Sequence, residues 1–235
     1  GEIERAKNRR VSPGQYVDTL DGHEPVIPAH LMARLYSDYE RLRQAQGLID
    51  FEDMLAETAA AFRTAPDQLE RFRERVRAFT VDEYQDVNLL QQELLDTWAG
   101  DRDDICVVGD DYQSIYSFTG ATPRYLLDFQ KRHPGAAVFK LVRNYRSTPE
   151  VISLANRLTS KLGGTEKQLL ATHQPGPGVV VQRLESVDGE VAWMVGQIRQ
   201  LVAAGTPHEE IAVLYRLNSM SEELEEELSS AHLSY

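Results

Sequence analysis

Three carboxylates and an amide lie close together, directly after a short run of the kind that forms a β-strand. The run covers residues 78–81, and the acidic stretch 82–88 reads Asp-Glu-Tyr-Gln-Asp-Val-Asn. In an α/β sheet, ligands bind outside the carboxyl ends of the strands, which is where such a stretch would lie. Asp82 is then placed to hold a magnesium ion, and Glu83 to activate a water molecule. This arrangement suits the hydrolysis of a nucleoside triphosphate.

The same stretch also fits a purely structural role. In that alternative it is a solvated acidic turn before a helix that begins near Asn88, and either Asp86 or Asn88 is the N-cap. Acidic pairs are common, and short motifs produce false matches. The stretch by itself therefore does not decide between the two interpretations.

Two later segments favour the nucleotide interpretation. Residues 107–121 read VVGDDYQSIYSFTGA, and residues 141–149 read LVRNYRSTP. With the acidic stretch they stand in the order, and at roughly the spacing, of motifs II, III and IV of the superfamily 1 DNA helicases of the UvrD/Rep type. The chain closely resembles that family, and further matches at 49–55, 151–156 and 211–219 extend the resemblance over almost its whole length.

The resemblance implies an α/β fold with a RecA-like parallel sheet and flanking helices. Residues 1–48 would belong to a helical insertion of the first motor domain, and residues 49–143 to the first RecA-like domain. Residues 144–235 would form the start of the second RecA-like domain, without its end.

The hydrophobic pattern independently indicates alternating strands and helices, an order that usually gives a parallel sheet with crossover helices. Asp50 is the predicted N-cap of a helix that begins near Phe51. The predicted strands cover residues 78–82, 105–109, 138–141, 179–184 and 211–216. The predicted helices lie near 88–99, 122–132, 148–162, 188–204 and 219–231.

The family resemblance also implies residue roles. Asp82 would bind magnesium, Glu83 would be the general base for the attacking water, and Gln113 would sense the γ-phosphate of ATP. Tyr145 would stack on the adenine, and Arg146 would reach the γ-phosphate as an arginine finger does. Each has a structural alternative. Gln113 would be a buried glutamine bonded only to backbone, Tyr145 an aromatic residue of a core or interface, and Arg146 a member of an ion pair.

Tyr116 and Phe118 are the candidate DNA-binding residues. They alternate across Ser117, so in an extended segment both would point to one side. In the family this pair faces single-stranded DNA, where stacking tolerates any base. Phe118 stands where many members carry tryptophan, and Thr119 where an arginine is frequent.

A phosphate loop is missing from this sequence. It contains neither a Gly-x-x-x-x-Gly-Lys-Ser/Thr pattern nor any Gly-Lys dipeptide. Such a loop supplies the N–H cradle and the lysine for the phosphates of a nucleotide. We therefore expect an internal fragment of a larger helicase, inactive by itself, and a degenerate relative is the alternative.

Composition adds further expectations. The net charge of −12 argues against a broad nucleic-acid surface, so DNA contact would depend on a groove with aromatic platforms. The single cysteine, Cys106, lies in an apolar run and is expected in the core. The six histidines lack the spacing of zinc ligands. With no long apolar stretch and no leader pattern, we expect a cytoplasmic protein without membrane contact.

The sequence thus predicts part of an ATP-dependent, 3′-to-5′ DNA helicase that couples ATP hydrolysis to translocation on single-stranded DNA and to duplex unwinding. ATP and Mg²⁺ would be its cofactors. Single-stranded and duplex DNA, together with DNA-repair proteins, would be its partners. Two alternatives remain open: the helicase subunit of a recombination helicase–nuclease, and a non-catalytic interaction module derived from a helicase.

Overall fold

A computed structural model of the chain describes residues 1–162, 165 and 167–235. The chain divides into two compact units, Gly1–Gly176 and Pro177–Tyr235. Among the described residues, no helix is both long and apolar enough to cross a membrane.

Helices make up most of the regular structure in both units. Short 3₁₀ turns connect several of them, and two of these turns, Asp111–Gln113 and Ser117–Thr119, carry candidate site residues. In the first unit the helices are α1 (Glu2–Asn8), α2 (Ala29–Ala45), α3 (Phe51–Thr64), α4 (Pro66–Arg75), α5 (Leu89–Ala99), α6 (Arg124–Leu127), α7 (Phe129–Arg132) and α8 (Pro149–Thr159). In the second unit they are α9 (Val187–Ala203) and α10 (Ser221–Ser230).

The strands of the first unit form two parallel pairs. Strand β1 (Phe79–Val81) pairs with β2 (Ile105–Val107), and α5 lies between them in the chain as a crossover. Strand β3 (Arg143–Asn144) pairs with β4 (Leu170–Ala171), and α8 lies between these two. Parallel strands joined through helices are the predicted arrangement, so the α/β class is confirmed.

Side-chain caps define where α3 and α5 begin. The carboxylate of Asp50 accepts a hydrogen bond from the N–H of Asp53 at 2.9 Å, as predicted for an N-cap. The side-chain oxygen of Asn88 accepts one from the N–H of Gln91 at 2.9 Å, and the Gln91 side chain accepts one from the N–H of Asn88 at 3.0 Å. Asn88, and not Asp86, is therefore the cap of the helix that follows the acidic stretch.

A row of aromatic rings fixes β1 against three helices. Phe62 of α3 contacts Phe72 of α4, whose ring lies 5.5 Å from that of Trp98 in α5. Trp98 stacks on Phe79 of β1 at 6.1 Å. Because aromatic pairs contribute beyond the area they bury, this row holds the strand that leads into the acidic stretch.

A buried ion-pair network joins α1 to α3. The ammonium of Lys7, only 9% exposed, lies 2.5 Å from Asp50 and 2.7 Å from Asp53. Arg43 of α2 contacts Asp53 from the other side at 2.5 Å. Buried charges are costly unless they are paired, and here each carboxylate has a cationic partner. The network therefore fixes α1 and α2 on the N-terminal end of α3.

The second unit has its own apolar core. Val191, Val195 and Ile198 follow the helical repeat on one face of α9. They pack with Leu224 and Leu228, which are one turn apart on α10. This unit therefore buries its apolar face between two helices.

Three strand predictions are wrong. Residues 138–141, 179–184 and 211–216 are outside the strands of the structure, and a strand instead forms at β3. An apolar run becomes a strand only when a partner provides the ladder hydrogen bonds, and none pairs with these runs among the described residues.

The prediction that Cys106 lies in the core is also wrong, because its side chain is exposed. Successive strand residues point to opposite faces, so Cys106 faces away from the side shared by Ile105 and Val107. Thr80, its partner on β1, is exposed as well.

Candidate functional site

The acidic pair lies at the carboxyl end of β1, as the sequence predicts. The carboxylate of Asp82 accepts a hydrogen bond from the N–H of Glu83 at 2.9 Å, and both side chains are exposed. Glu83 has a left-handed backbone with φ of 50°, which costs a non-glycine residue about 1–3 kcal/mol. Two backbone hydrogen bonds join this turn to Val108, the residue directly after β2. The N–H of Tyr84 donates to the carbonyl of Val108 at 2.9 Å, and the N–H of Val108 donates to the carbonyl of Val81 at 2.8 Å.

The donor set near Asp82 suits a magnesium ion better than a metal held by protein alone. No group of three or more metal-ligating side chains occurs among the described residues. Magnesium, however, is usually held by one or two carboxylates together with substrate phosphates and water. An exposed aspartate at a strand end meets that requirement.

Gln85 connects the acidic stretch to the second candidate motif. Its side chain is 1% exposed, and its amide nitrogen donates to the carboxylate of Glu83 at 2.7 Å. Its amide oxygen accepts from the backbone N–H of Asp110 at 2.9 Å. A Cβ at Gly109 would lie 2.7 Å from that oxygen, so only glycine allows this close approach.

A 3₁₀ turn at Asp111–Gln113 positions the predicted phosphate sensor. The carboxylate of Asp110 accepts hydrogen bonds from the N–H of Tyr112 and from the side-chain amide of Gln113, both at 3.0 Å. The side chain of Gln113 is exposed and is bonded to a carboxylate, so it is not the buried glutamine of the structural alternative. Glu83, Gln85, Asp110 and Gln113 thus form one continuous hydrogen-bond chain.

Asp110 carries a second partner that the sequence did not single out. Lys167 donates to Asp110 and also lies 2.6 Å from the carboxylate of Asp111. Burial by itself would raise the pKa of Asp110, but the hydrogen bonds from Lys167, Gln113 and Tyr112 outweigh it and hold the pKa below its ordinary value. The carboxylate is therefore kept ionised.

The two candidate stacking residues lie side by side, although the segment is not extended. Tyr116 is the N-cap of a 3₁₀ turn at Ser117–Thr119, so the extended segment expected here is not formed. The rings of Tyr116 and Phe118 are still 5.9 Å apart, and the two residues are 47% and 56% exposed. The structure therefore brings two accessible aromatic rings together.

The aromatic turn is anchored on α1. The side-chain amide of Asn8 donates to the carbonyl of Thr119 at 2.9 Å. Gly120 has a φ of 96°, and a Cβ atom added to it would lie 3.3 Å from side-chain carbons of Asn8 and Arg9. A side chain at Gly120 would be strained, so this glycine permits the contact.

A recess of about 250 Å³ lies beside this turn. Its volume is somewhat below the ~300–1,000 Å³ of common small-molecule pockets. Asp86, one of its lining residues, has a buried carboxylate oxygen with no hydrogen-bond partner among the described residues. The other lining residues include Glu4, Asn8, Phe51, Gln91 and Tyr116.

Tyr145 and Arg146 lie on a turn between β3 and α8. The side-chain oxygen of Asn144 accepts hydrogen bonds from the N–H groups of Arg146 at 3.0 Å and Ser147 at 2.8 Å. Tyr145 is 69% exposed, and the Arg146 side chain forms no ion pair with the described residues. No hydrogen bond joins these two side chains to the chain of Glu83 and Gln113 within the described part of the protein.

Comparison with known proteins assigns the family. Residues 1–134 match the UvrD/REP helicase N-terminal domain, and residues 139–235 match the UvrD-like helicase C-terminal domain. The chain belongs to the UvrD/Rep helicase family. The site residues up to Phe118 lie within the N-terminal match of this family, whereas Tyr145, Arg146 and Lys167 lie within its C-terminal match.

Relatives of known name support this assignment. The chain is 46% identical over 245 residues to the ATP-dependent DNA helicase UvrD2 of Mycobacterium tuberculosis (strain ATCC 25618 / H37Rv), covering 100% of this chain and 35% of that protein. It is 32% identical over 237 residues to the ATP-dependent DNA helicase PcrA of Bacillus subtilis (strain 168), covering 100% of this chain and 32% of PcrA. The chain therefore spans about a third of the length of these UvrD/Rep relatives.

Proposed function

We propose that this chain forms part of the motor of an ATP-dependent DNA helicase, which couples ATP hydrolysis to translocation on single-stranded DNA and to duplex unwinding. The observation that carries the proposal is the hydrogen-bond chain from Glu83 through Gln85 and Asp110 to Gln113. It joins the end of β1 to the turn that leads into the exposed aromatic pair. A change at the nucleotide can therefore be passed to the DNA side along bonded groups.

In this proposal Asp82 would hold a magnesium ion, and Glu83 would take a proton from the attacking water. Bound magnesium would neutralise charge on the phosphates of ATP. Gln113 contacts the γ-phosphate through its side-chain amide, which must then leave the carboxylate of Asp110. The sensor thus has two alternative acceptors, one in the protein and one in the nucleotide.

The second family domain contributes Tyr145 and Arg146. The exposed tyrosine ring stacks on the adenine, and the guanidinium of Arg146 stabilises charge on the γ-phosphate during transfer. In the same proposal, residues 49–143 form the first RecA-like domain and residues 144–235 form the start of the second. Residues 1–48 form the helical insertion.

Single-stranded DNA is the proposed partner of Tyr116 and Phe118. Each exposed ring can stack on a base, and stacking contributes about 1–3 kcal/mol per base. Phe51 was not singled out from the sequence, but it shares the neighbouring recess with Tyr116. We include it as a third aromatic contact for a base. The family resemblance adds two further proposed partners, duplex DNA and DNA-repair proteins, and with them a role in DNA repair.

The test is the variant Glu83→Gln in the full-length protein that contains this chain. The substitution keeps the shape of the side chain and leaves Asp82 in place, so binding of labelled ATP should stay near that of the unmodified protein. Steady-state ATP turnover in the presence of single-stranded DNA should fall by about 10²-fold or more, because the general base is lost.

Glu57→Gln, an exposed position on α3, is the matched control and should retain full turnover. Near-normal turnover of Glu83→Gln would show that Glu83 is not the base.

A further inference from the structure

Lys167 is the single residue that ties the C-terminal family domain to the Gln113 turn by an ion pair in the described part of the chain. Its side chain is 19% exposed, and its ammonium contacts the carboxylates of both Asp110 and Asp111, with a distance of 2.6 Å to the latter. The ammonium also lies 4.5 Å from the centre of the Tyr112 ring. Three groups of the turn therefore converge on one lysine.

The ion pair between Lys167 and Asp111 is buried from solvent on its Asp111 side. That carboxylate is 6% exposed, and its other oxygen accepts a hydrogen bond from the N–H of Thr165 at 2.8 Å. Burial by itself would lower the pKa of Lys167, but the hydrogen bonds that its ammonium donates to the two aspartates outweigh it and raise the pKa above its ordinary value. The lysine is charged at neutral pH, as the pairing requires.

Asp110 is shared between Lys167 and Gln113. One oxygen of this carboxylate binds the lysine, and the other accepts from the Gln113 amide at 3.0 Å. A carboxylate neutralised by an ammonium is a weaker acceptor for a second donor. Lys167 therefore sets how firmly Asp110 retains the amide that, in the proposed function, turns to the γ-phosphate.

Lys167 is also connected to the turn that carries Tyr145 and Arg146. It lies just before β4, and β4 pairs with β3. Beyond the pair, the N–H of Thr172 donates to the carbonyl of Asn144 at 3.1 Å, and His173 lies 2.6 Å from the carbonyl of Tyr145. Strands β3 and β4 thus link that turn to the segment that carries Lys167.

We propose that Lys167 is a positioning residue that couples the turn of Tyr145 and Arg146 to the Gln113 turn, and so sets how strongly DNA stimulates ATP hydrolysis. The inference rests on the proposed function, since it gives Gln113 and Arg146 their nucleotide roles. Without Lys167, the half-buried carboxylate of Asp110 and the buried carboxylate of Asp111 lose their cation, and Asp110 keeps the sensor amide.

The experiment measures the ATP hydrolysis rate of the full-length protein with and without single-stranded DNA. The readout is the ratio of the two rates, because a variant that merely folds less well lowers both rates in proportion. For Lys167→Met we expect this ratio to fall about tenfold, within the usual range of coupling between two sites. Lys167→Arg, which retains the charge, should recover most of the ratio.

Two further variants complete the design. Lys161→Met changes an exposed lysine just after α8 and should keep the ratio of the unmodified protein. Asp111→Asn combined with Lys167→Met should lower the ratio no further than Lys167→Met does, because both substitutions break the same contact.

The outcomes separate the two proposals. If the unmodified protein shows no stimulation by DNA, the proposed function fails and this inference fails with it. If the unmodified protein is stimulated and Lys167→Met keeps the same ratio, the inference alone is overturned. A fall in the ratio that Lys167→Arg does not recover also overturns it, since the charge would then not be the cause.

Discussion

Gln85 shows what the sequence could and could not reveal at the scale of single residues. The residues with reactive groups, Asp82 and Glu83, stand out by type and by their place after a strand. A buried glutamine has no such mark, and its role depends on the N–H of Asp110, which lies 25 positions later in the chain. The same reason hid Lys167, whose partners are 56 and 57 positions away.

The aromatic pair gives a prediction at this scale. Replacing Phe118 with alanine in the full-length protein should weaken binding of single-stranded DNA by about 1–3 kcal/mol, because one stacking surface for a base is lost. Fluorescence anisotropy with a labelled oligonucleotide measures the change.

Phe139→Ala is the matched control, since Phe139 is 85% exposed and lies outside the aromatic turn. Equal weakening by the two substitutions, or none by Phe118→Ala, would contradict the stacking role.

At the scale of elements, helix starts were predictable and strands were less so. The caps Asp50 and Asn88 act on N–H groups three residues away, so a local pattern suffices to find them. The run at 179–184 has strand-forming residues, but pairing depends on a partner that the local pattern does not specify. Strands β1 and β2 were predicted from their apolar runs, and they form because each run is the other's partner.

The network at the start of α3 predicts a dependence of stability on pH. Burial would raise the pKa of Asp50, but the hydrogen bonds from Lys7, the N–H of Asp53 and Tyr39 outweigh it and lower the pKa from 3.8 to about 2. A carboxyl group with a depressed pKa in the folded state stabilises it above the unfolded pKa. The free energy of unfolding should therefore fall as the pH drops from about 4 to about 2.

Denaturant titrations of this chain at several pH values, followed by circular dichroism, measure that dependence. Asp50→Asn should flatten it in this window. Asp38→Asn should leave it unchanged, because Asp38 is exposed and its ion pair with Arg41 lies on the surface. A slope that persists in Asp50→Asn would contradict the assignment of the effect to Asp50.

At the scale of the whole molecule, the chain combines candidate nucleotide-binding and DNA-binding residues with a net charge of −12. Part of this charge is concentrated on α10, where Glu222, Glu223, Glu225, Glu226 and Glu227 lie together. The proposed DNA contact is instead an aromatic turn held on α1. Stacking in a local groove does not require a positive charge over the whole surface.

The sequence also predicts what this chain does by itself. Without a phosphate loop, no N–H cradle or lysine offsets the charge of the triphosphate, and Asp82, Glu83 and Asp86 repel it. Tyr145 and Arg146 supply stacking and one positive charge, which is insufficient. We expect the purified chain to hydrolyse ATP no faster than background in a phosphate-release assay. Turnover that is clearly above background and is lost in Glu83→Gln would contradict this.

The central claim is that these residues belong to an ATP-driven motor that moves on DNA. Its most direct test is strand displacement by the full-length protein on a duplex with a 3′ single-stranded tail. The account predicts unwinding that requires ATP and disappears in Glu83→Gln, while that variant still binds the tail. Unwinding that continues without ATP or in Glu83→Gln, or no unwinding by the unmodified protein, would contradict the claim.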